Sequence, residues 1–270
     1  MAPAVHVDRY LERIGYSGPR EPTLVVLEAL QAAHSGAIPF ENISVVLGHP
    51  VDVDSAAVED KLVALRRGGY CLEQNRLFAD VLGSIGFSLT EVLARARPPG
   101  LEVVAPRIHM ALCVHIDGVD WLADVGFGAE QPRVPVRLDG TARDDGWGGV
   151  RVVEERKSEL VLQRSASDGW HDLYTFDFEP VFPMDYVVAN HFARTHPAAP
   201  FAGDLTLQLA AADARHVLLR GEYRMYVADR VVREPLDPAL LSRLLDEVMP
   251  IELAPDDRRA LFDRVFGGPC

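Results

Sequence analysis

At residue 89 the hydrophobic period of the chain changes, and that change limits the fold more than any other feature. Before it, apolar residues recur at helical spacing. Thr23, following Pro22, is placed to cap a helix whose buried stripe is Leu24, Leu27, Leu30 and Ala33. Asp54 or Ser55 caps a second helix, with Val58, Leu62 and Leu65 on one face and Gly68-Gly69 as a positive-φ stop. A third begins near Cys71 and passes through Phe78 and Leu82 towards Ile85, and a shorter one lies around Tyr10 to Ile14. After residue 89, short alternating or apolar runs (89–96, 101–105, 108–116, 119–125, 150–154, 159–165 and 171–178) are separated by turn residues. Pro98-Pro99-Gly100, Asp117-Gly118 and Asp144-Asp145-Gly146 are the clearest of these, the pattern of an antiparallel sheet or barrel. Two more strand-like runs, 205–210 and 223–227, precede helices at 237–249 and 255–266, the last stopped by Gly267-Gly268. The chain therefore reads as α+β: a helical bundle over 1–88, a β region over 89–200 and a smaller α/β segment over 201–270.

A chain of 270 residues buries a full core without disulfide staples. Its 27 Lys and Arg against 40 Asp and Glu leave a net charge of −13, and the densest basic pairs are only Arg66-Arg67 and Arg258-Arg259. Such a chain repels phosphate backbones and anionic lipid, so neither nucleic acid nor membrane is expected as a partner. No stretch approaches the ~18 uninterrupted apolar residues of a bilayer helix, and no cationic segment precedes an apolar one at the N-terminus. A cytoplasmic protein is the expectation. Cys71, Cys113 and Cys270 form neither an even disulfide framework nor a CxxC pair, so no metal is expected and a single reactive thiol is left open.

Arg67-Gly68-Gly69-Tyr70-Cys71 sets a cysteine in the first turn of a helix, where unpaired N–H groups face its sulfur. A helix terminus alone is worth roughly 0.3–1 kcal/mol, too little to ionise a thiol at neutral pH. An imidazolium partner would supply the rest. Without one, Cys71 is simply a small buried hydrophobe.

The partner lies on a hairpin. With Asp117-Gly118 as a two-residue turn, Ala111 falls opposite Asp124 and His109 opposite Gly126, so His109 and Asp124 are diagonal neighbours on one face. Gly126 opposite His109 is expected to leave open space above the imidazole. A three-residue loop would put the two side chains on opposite faces. Cys71, His109 and Asp124 then compose a nucleophile, a base and an orienting acid. His115, six residues along the same strand, is roughly 20 Å from His109 and outside the site. Cys113 reads as core and Cys270 as a terminal residue.

The residues resemble the arylamine N-acetyltransferase family. The match runs through Tyr10-Leu11 to Gly15-Tyr16, Ile38-Pro39-Phe40-Glu41-Asn42, Arg67-Gly68-Gly69-Tyr70-Cys71 with Glu73 and Asn75, His109, Asp124-Val125-Gly126-Phe127-Gly128, and Asn190 with Thr195-His196-Pro197. The resemblance implies a helical bundle, a central antiparallel β-barrel and a C-terminal α/β lid around a cysteine-protease-like Cys-His-Asp core. It implies acetyl-CoA as acyl donor, an acetyl thioester on Cys71, and transfer to an arylamine, arylhydrazine or N-hydroxyarylamine. It also implies that Phe40 and Phe127 shape the acceptor pocket, and that Gly126, Gly128 and Thr195 border the cofactor. Arg67 and Glu41 become a pair bracing the nucleophile loop, where an exposed pair would contribute little. Ala199 departs from the family's common serine and removes one hydroxyl from the cofactor side. Other classes stay open: an amide synthase or other acyltransferase using the same triad, a papain-like thiol hydrolase whose CGSCW signature is absent, and a non-catalytic binding module.

Overall fold

The computed structural model describes residues 5–97, 104–199, 201, 203–228 and 230–267. Helix α1 (Val7–Arg13) and α2 (Leu24–Ala37) open the chain, and Thr23 Oγ1 accepts the Val26 N–H at 3.4 Å as the N-cap of α2. A two-residue strand, β1 (Phe40–Glu41), and a single turn, α3 (Ile43–Val46), follow. Asp54 caps α4 (Ser55–Glu59) by accepting from the Ala56 and Ala57 amides, and α4 widens into a π-turn over Asp60–Ala64. Helix α5 (Cys71–Ile85) ends at Gly86, whose φ of 107° only glycine adopts readily.

The expected glycine stop before α5 is corrected. The left-handed residue there is Arg66, at φ 48°, and neither Gly68 nor Gly69 has positive φ. The glycines are required by close approach instead. A Cβ on Gly68 would lie 2.1 Å from the Pro39 carbonyl oxygen, and one on Gly69 would lie 2.7 Å from Glu73 Oε2.

The second layer is an antiparallel eight-stranded sheet of β2 (Ser88–Ala96), β3 (His109–Ile116), β4 (Val119–Ala123), β5 (Val136–Arg137), β6 (Arg143–Asp144), β7 (Gly149–Arg156), β8 (Glu159–Ala166) and β9 (Gly169–Phe176). Its order is β5-β4-β3-β2-β9-β8-β7-β6. Val92, Ala111, Leu122, Val136, Val152, Leu162 and Tyr174, drawn from seven of these strands, meet in one buried cluster, so the sheet curls around its own core as a nearly closed barrel. Alternation on β3 makes the join to the helices. Ala111 faces the barrel interior, while Met110, Leu112 and Val114 pack outward into the core that holds Leu72, Phe78 and Leu82 of α5. The β3–β4 register is the one expected from the two-residue turn, with Leu112 opposite Ala123 and His115 opposite Asp120. Of the run expected at 101–105, residues 101–103 lie outside the described residues, as do Pro98-Pro99-Gly100, Gly268 and Cys270; Val104 and Ala105 are irregular.

Helix α6 (Pro183–Thr195) interrupts a stretch that the sequence pattern filled with strands alone. Its buried residues are Tyr186, Ala189, Asn190 and Ala193, whereas Phe182, Met184, Val187 and Val188 around them are exposed. The apolar residues therefore do not mark the buried face, and the helical period is hidden. The chain closes with β10 (Leu207–Ala210), β11 (Arg215–Leu219), β12 (Glu222–Val227), β13 (Arg230–Pro235), α7 (Pro238–Arg243) continuing as a widened turn over Leu244–Val248, and α8 (Pro255–Phe266). These strands form a second antiparallel sheet in the order β1-β10-β11-β12-β13, with Phe40 opposite Gln208. The N-terminal third thus supplies the edge strand of the C-terminal sheet. Strands β11 and β13 escape the sequence pattern because β11 carries Arg215 and His216 and β13 is largely solvated.

Candidate active site

Pro39, Phe40 and Glu41 fix the loop that carries the cysteine. The Glu41 amide donates to the Gly69 carbonyl at 3.1 Å, and Gly69 N–H donates to Pro39 O at 3.3 Å. Arg67 then clamps Glu41, its Nη2 and Nε donating to Oε1 at 2.7 and 3.1 Å, while Oε2 accepts the Ile43 amide at 2.5 Å. Both side chains are buried, so this pair is internal rather than an exposed surface contact. Glu73 Oε2 accepts the Tyr70 N–H at 3.1 Å and caps α5, and Lys61 Nζ donates to its other oxygen at 2.6 Å. Gln74 Nε2 donates to the Pro39 carbonyl at 2.9 Å, and its Oε1 lies 2.7 Å from His34 Nε2. Cys71 is consequently held at a helix start braced from three sides, 5% exposed.

His109 is the first residue of β3, and Asp124 follows the last residue of β4. The His109 Nε2 to Asp124 Oδ2 distance is 2.7 Å. Cys71 stands beside the His109 ring, close enough to be one of the groups that raise it, and Nε2 of that ring is committed to Asp124. Sγ lies 3.6 Å from the Ile108 carbonyl oxygen. Asp124 is fully buried and fully satisfied: Oδ1 accepts from Asn75 Nδ2 at 2.9 Å and Gly126 N–H at 2.8 Å, and Oδ2 also accepts from Tyr174 Oη at 2.9 Å.

These contacts set the charges. Burial pushes the His109 imidazole down, but the Asp124 carboxylate and the Cys71 side chain outweigh it and raise the group to about 10. Burial pushes Asp124 up, and the His109 charge with hydrogen bonds from His109, Asn75 and Gly126 reverses that, holding it below the ordinary carboxylate range. The ring beside Cys71 is therefore an imidazolium at neutral pH. Cys113 is buried in the barrel wall, and burial pushes its thiol up to about 12.

The structure brings Phe127 to the same point, its ring centroid 4.9 Å from that of His109 and edge-on. Phe40 stands one step away, 5.6 Å from Phe201, which stacks on Tyr70 at 5.4 Å. Gly126 does not leave the expected open space on its Cβ side: a Cβ there would lie 2.8 Å from Cys71 Cα and 2.6 Å from Asn75 Nδ2, so the missing side chain lets the strand end reach the helix start. Gly128, at φ 66°, makes room for Gln208, whose Oε1 accepts the Ala129 N–H at 2.7 Å. Thr195 is exposed at the end of α6, its hydroxyl donating to the His191 carbonyl at 2.7 Å. A groove of about 560 Å³ runs past Ile108, between Leu93 on β2 and Val188 and Phe192 on α6.

Sequence reasoning gave no role to Asn75 or Tyr174. Asn75 had a signal, since it lies four residues after Cys71 and shares its helix face. Tyr174 had none, because only closure of the barrel brings β9 over the end of β4.

A cysteine at a helix start, an imidazole and a buried carboxylate, framed by helices and a barrel, are the parts of a thiol nucleophile with its base and orienting acid. An N-acetyltransferase family model matches residues 23–258. The chain is 36% identical over 269 residues to the arylamine N-acetyltransferase of Mycobacterium tuberculosis, covering 97% of this chain and 95% of that protein. It is 36% identical over 187 residues to the arylamine N-acetyltransferase / N-hydroxyarylamine O-acetyltransferase of Salmonella typhimurium, covering 69% and 66% of the two chains. Among solved structures, the Mycobacterium marinum arylamine N-acetyltransferase in complex with CoA aligns with a TM-score of 0.88 and 35% identity, over 96% of this chain and 97% of that one. The chain belongs to the arylamine N-acetyltransferase family.

Proposed function

We propose that this enzyme acetylates arylamines, arylhydrazines and N-hydroxyarylamines from acetyl-CoA, by a ping-pong route through an acetyl thioester on Cys71. One observation carries the reading: His109 stands beside Cys71, meets Asp124 at 2.7 Å, and is held charged by these two groups. Cys71 is the nucleophile, His109 the proton carrier and Asp124 the orienting acid. With its proton passed to His109, the Cys71 sulfur attacks the acetyl carbonyl, the bond to the CoA sulfur breaks, and the His109 imidazolium gives that proton to the departing CoA thiolate. The exchange of one thioester for another is nearly isoenergetic. The acceptor nitrogen then attacks acetyl-Cys71, His109 takes the nitrogen's proton, and the Cys71 thiolate leaves, restoring the starting ion pair.

The Phe127 and Tyr174 rings packed on His109 keep water from the thioester and favour transfer over hydrolysis. Phe40 and Phe127 face the aromatic acceptor, and Gly128 and Thr195 lie on the CoA side, with Gly126 acting through its close approach to Cys71. Arg67 and Glu41 brace the loop. CoA in the Mycobacterium marinum structure and the N-hydroxyarylamine activity in the Salmonella enzyme's name support the donor and acceptor classes. No described helix is long and apolar enough to cross a membrane; acetyl-CoA as donor supports a cytoplasmic enzyme.

Incubation with acetyl-CoA alone, followed by intact-protein and peptide mass spectrometry, tests the reading. A single acetyl group on Cys71 is expected, absent in Cys71→Ala, and discharged by an arylamine. An adduct on Cys113, or turnover retained by Cys71→Ala, overturns it. A donor-by-acceptor panel following CoA release separates acetyl transfer from other acyl transfer and from hydrolysis.

A further inference from the structure

At the end of the hairpin away from His109, adjacent strands gather a second sulfur, imidazole and carboxylate. His115 sits directly opposite Asp120 across β3 and β4, and Cys113 lies two residues earlier on the same face, opposite Thr90 of β2. One ligand atom from each of Cys113, His115 and Asp120 lies within 4.8 Å of the others. His115 Nδ1 is 2.7 Å from Asp120 Oδ1, and its Nε2 is 3.0 Å from Thr90 Oγ1. The group is separate from the acyl-transfer site, since six strand residues at ~3.3 Å each put His115 roughly 20 Å from His109.

We propose that Cys113, His115 and Asp120 bind a divalent transition-metal ion of the zinc and cobalt class. A thiolate, an imidazole and a carboxylate are the ligand types such ions take, at about 2.3 Å for sulfur and about 2.0–2.2 Å for nitrogen and oxygen. Tetrahedral binding places those atoms roughly 3.2–3.6 Å apart, so side-chain shifts of about an ångström close the set around an ion. The sulfur disfavours calcium and magnesium, which take oxygen ligands. With Nδ1 turned from Asp120 to the metal, Nε2–H still donates to Thr90 Oγ1, the outer hydrogen bond that orients a ligating imidazole. The His115 and Asp120 side chains are 37% and 52% exposed, which gives the ion a path from solvent and leaves a fourth position for water. On binding, the S–H bond of Cys113 breaks, a sulfur–metal bond forms, and the proton leaves to solvent. The ion would clip the β3–β4 hairpin beside its turn. Sequence spacing gave no sign of this, because the ligands converge through strand pairing rather than through a CxxC repeat.

The test uses the full chain carrying Cys71→Ser and Cys270→Ser, in which Cys113 is the remaining thiol. Anaerobic titration with Co²⁺ is expected to give a stoichiometric thiolate-to-cobalt charge-transfer band that Zn²⁺ bleaches. The band should vanish with Cys113→Val added. Affinity should fall at least about tenfold with His115→Ala or Asp120→Asn, both exposed enough to leave the fold intact. A folded parent showing no band, or a band whose affinity is unchanged in His115→Ala and Asp120→Asn, overturns the proposal.

Discussion

Asn75 holds Asp124 and the residue after it at once: Nδ2 donates to Asp124 Oδ1 at 2.9 Å, and Oδ1 accepts the Val125 N–H at 3.1 Å. The same Nδ2 donates to the Met110 carbonyl at 2.7 Å, which ties α5 to both strands of the hairpin. The helix that carries the nucleophile therefore positions the acid as well. Asn75→Ala strips partners from buried groups on both strands, at about 1–3 kcal/mol for each group left unsatisfied. Thermal denaturation should show that loss, and the rate of acetyl adduct formation on Cys71 should fall with it. Asn75→Asp should be worse, because it sets a second carboxylate against Asp124.

Tyr174 gives a narrower probe. Its hydroxyl donates to Asp124 Oδ2, the oxygen that also meets His109, and its ring packs 4.9 Å from the imidazole. Tyr174→Phe keeps the ring and removes one hydrogen bond to a charged acceptor, at about 1.5–3 kcal/mol of stability. Asp124 retains Asn75, Gly126 and His109, so the triad geometry persists. A fall in kcat with KM for the acceptor unchanged is the expected split, and the His109 ring resonances should shift. A variant with wild-type kcat would remove Tyr174 from the positioning set.

The His109 and Asp124 shifts have opposite signs and set a pH window. His109 is raised in the folded protein to about 10 from 6.5, so its contribution is complete below 6.5 and is lost as pH rises through about 10. Asp124 is lowered, so its contribution is present above 3.8 and is lost as pH falls through its depressed value. The stability difference between the wild type and Asp124→Asn should be greatest between about pH 4 and 6.5 and should shrink towards pH 10. Urea denaturation across that range checks the sign. Ring-nitrogen NMR should find His109 still protonated at pH 8, and a His109 ring that is neutral there would contradict the ion pair.

Legibility followed how local each cause was. Thr23, Asp54 and the Asp117-Gly118 turn act within a few residues, and their caps and register are found where the sequence put them. The hairpin register brought His109 and Asp124 within reach of each other, and the helix start placed Cys71, so the three groups could be read before any coordinates. Tyr174, Gln208 and Phe201 reach the site only through barrel closure or the second sheet, and nothing in their neighbouring residues marks them. Gly68, Gly69 and Gly126 were legible as glycines needed at those points but not for the right reason. Gly68 and Gly126 lie against the distant Pro39 and Cys71 backbones and Gly69 against the Glu73 side chain, constraints that neither a positive-φ nor an open-space reading of glycine contains. Helix α6 was hidden because its buried stripe includes Asn190, whose Oδ1 accepts the Tyr70 hydroxyl and whose Nδ2 donates to the Val51 carbonyl at 2.9 Å.

The Arg67–Glu41 pair separates bracing from charge. Glu41 has no solvent exposure, and its carboxylate is shared between Arg67 and the Ile43 amide, so removing one partner leaves the other charge buried. Arg67→Ala should cost about 3–5 kcal/mol, with aggregation or a large drop in Tm. Arg67→Lys should recover part of that, because one ammonium cannot reproduce the two bonds from Nε and Nη2. The double variant Arg67→Met/Glu41→Gln should be less destabilised than the sum of the single variants, since no unpaired charge remains inside. Cys71 acetylation in the folded double variant then isolates what the brace does for catalysis. If the loop is held mainly by the Glu41–Gly69 and Gly69–Pro39 backbone bonds, the acetylation rate should stay within about tenfold of wild type even as Tm falls. A greater loss of rate in a folded double variant would assign the ion pair itself to positioning the nucleophile.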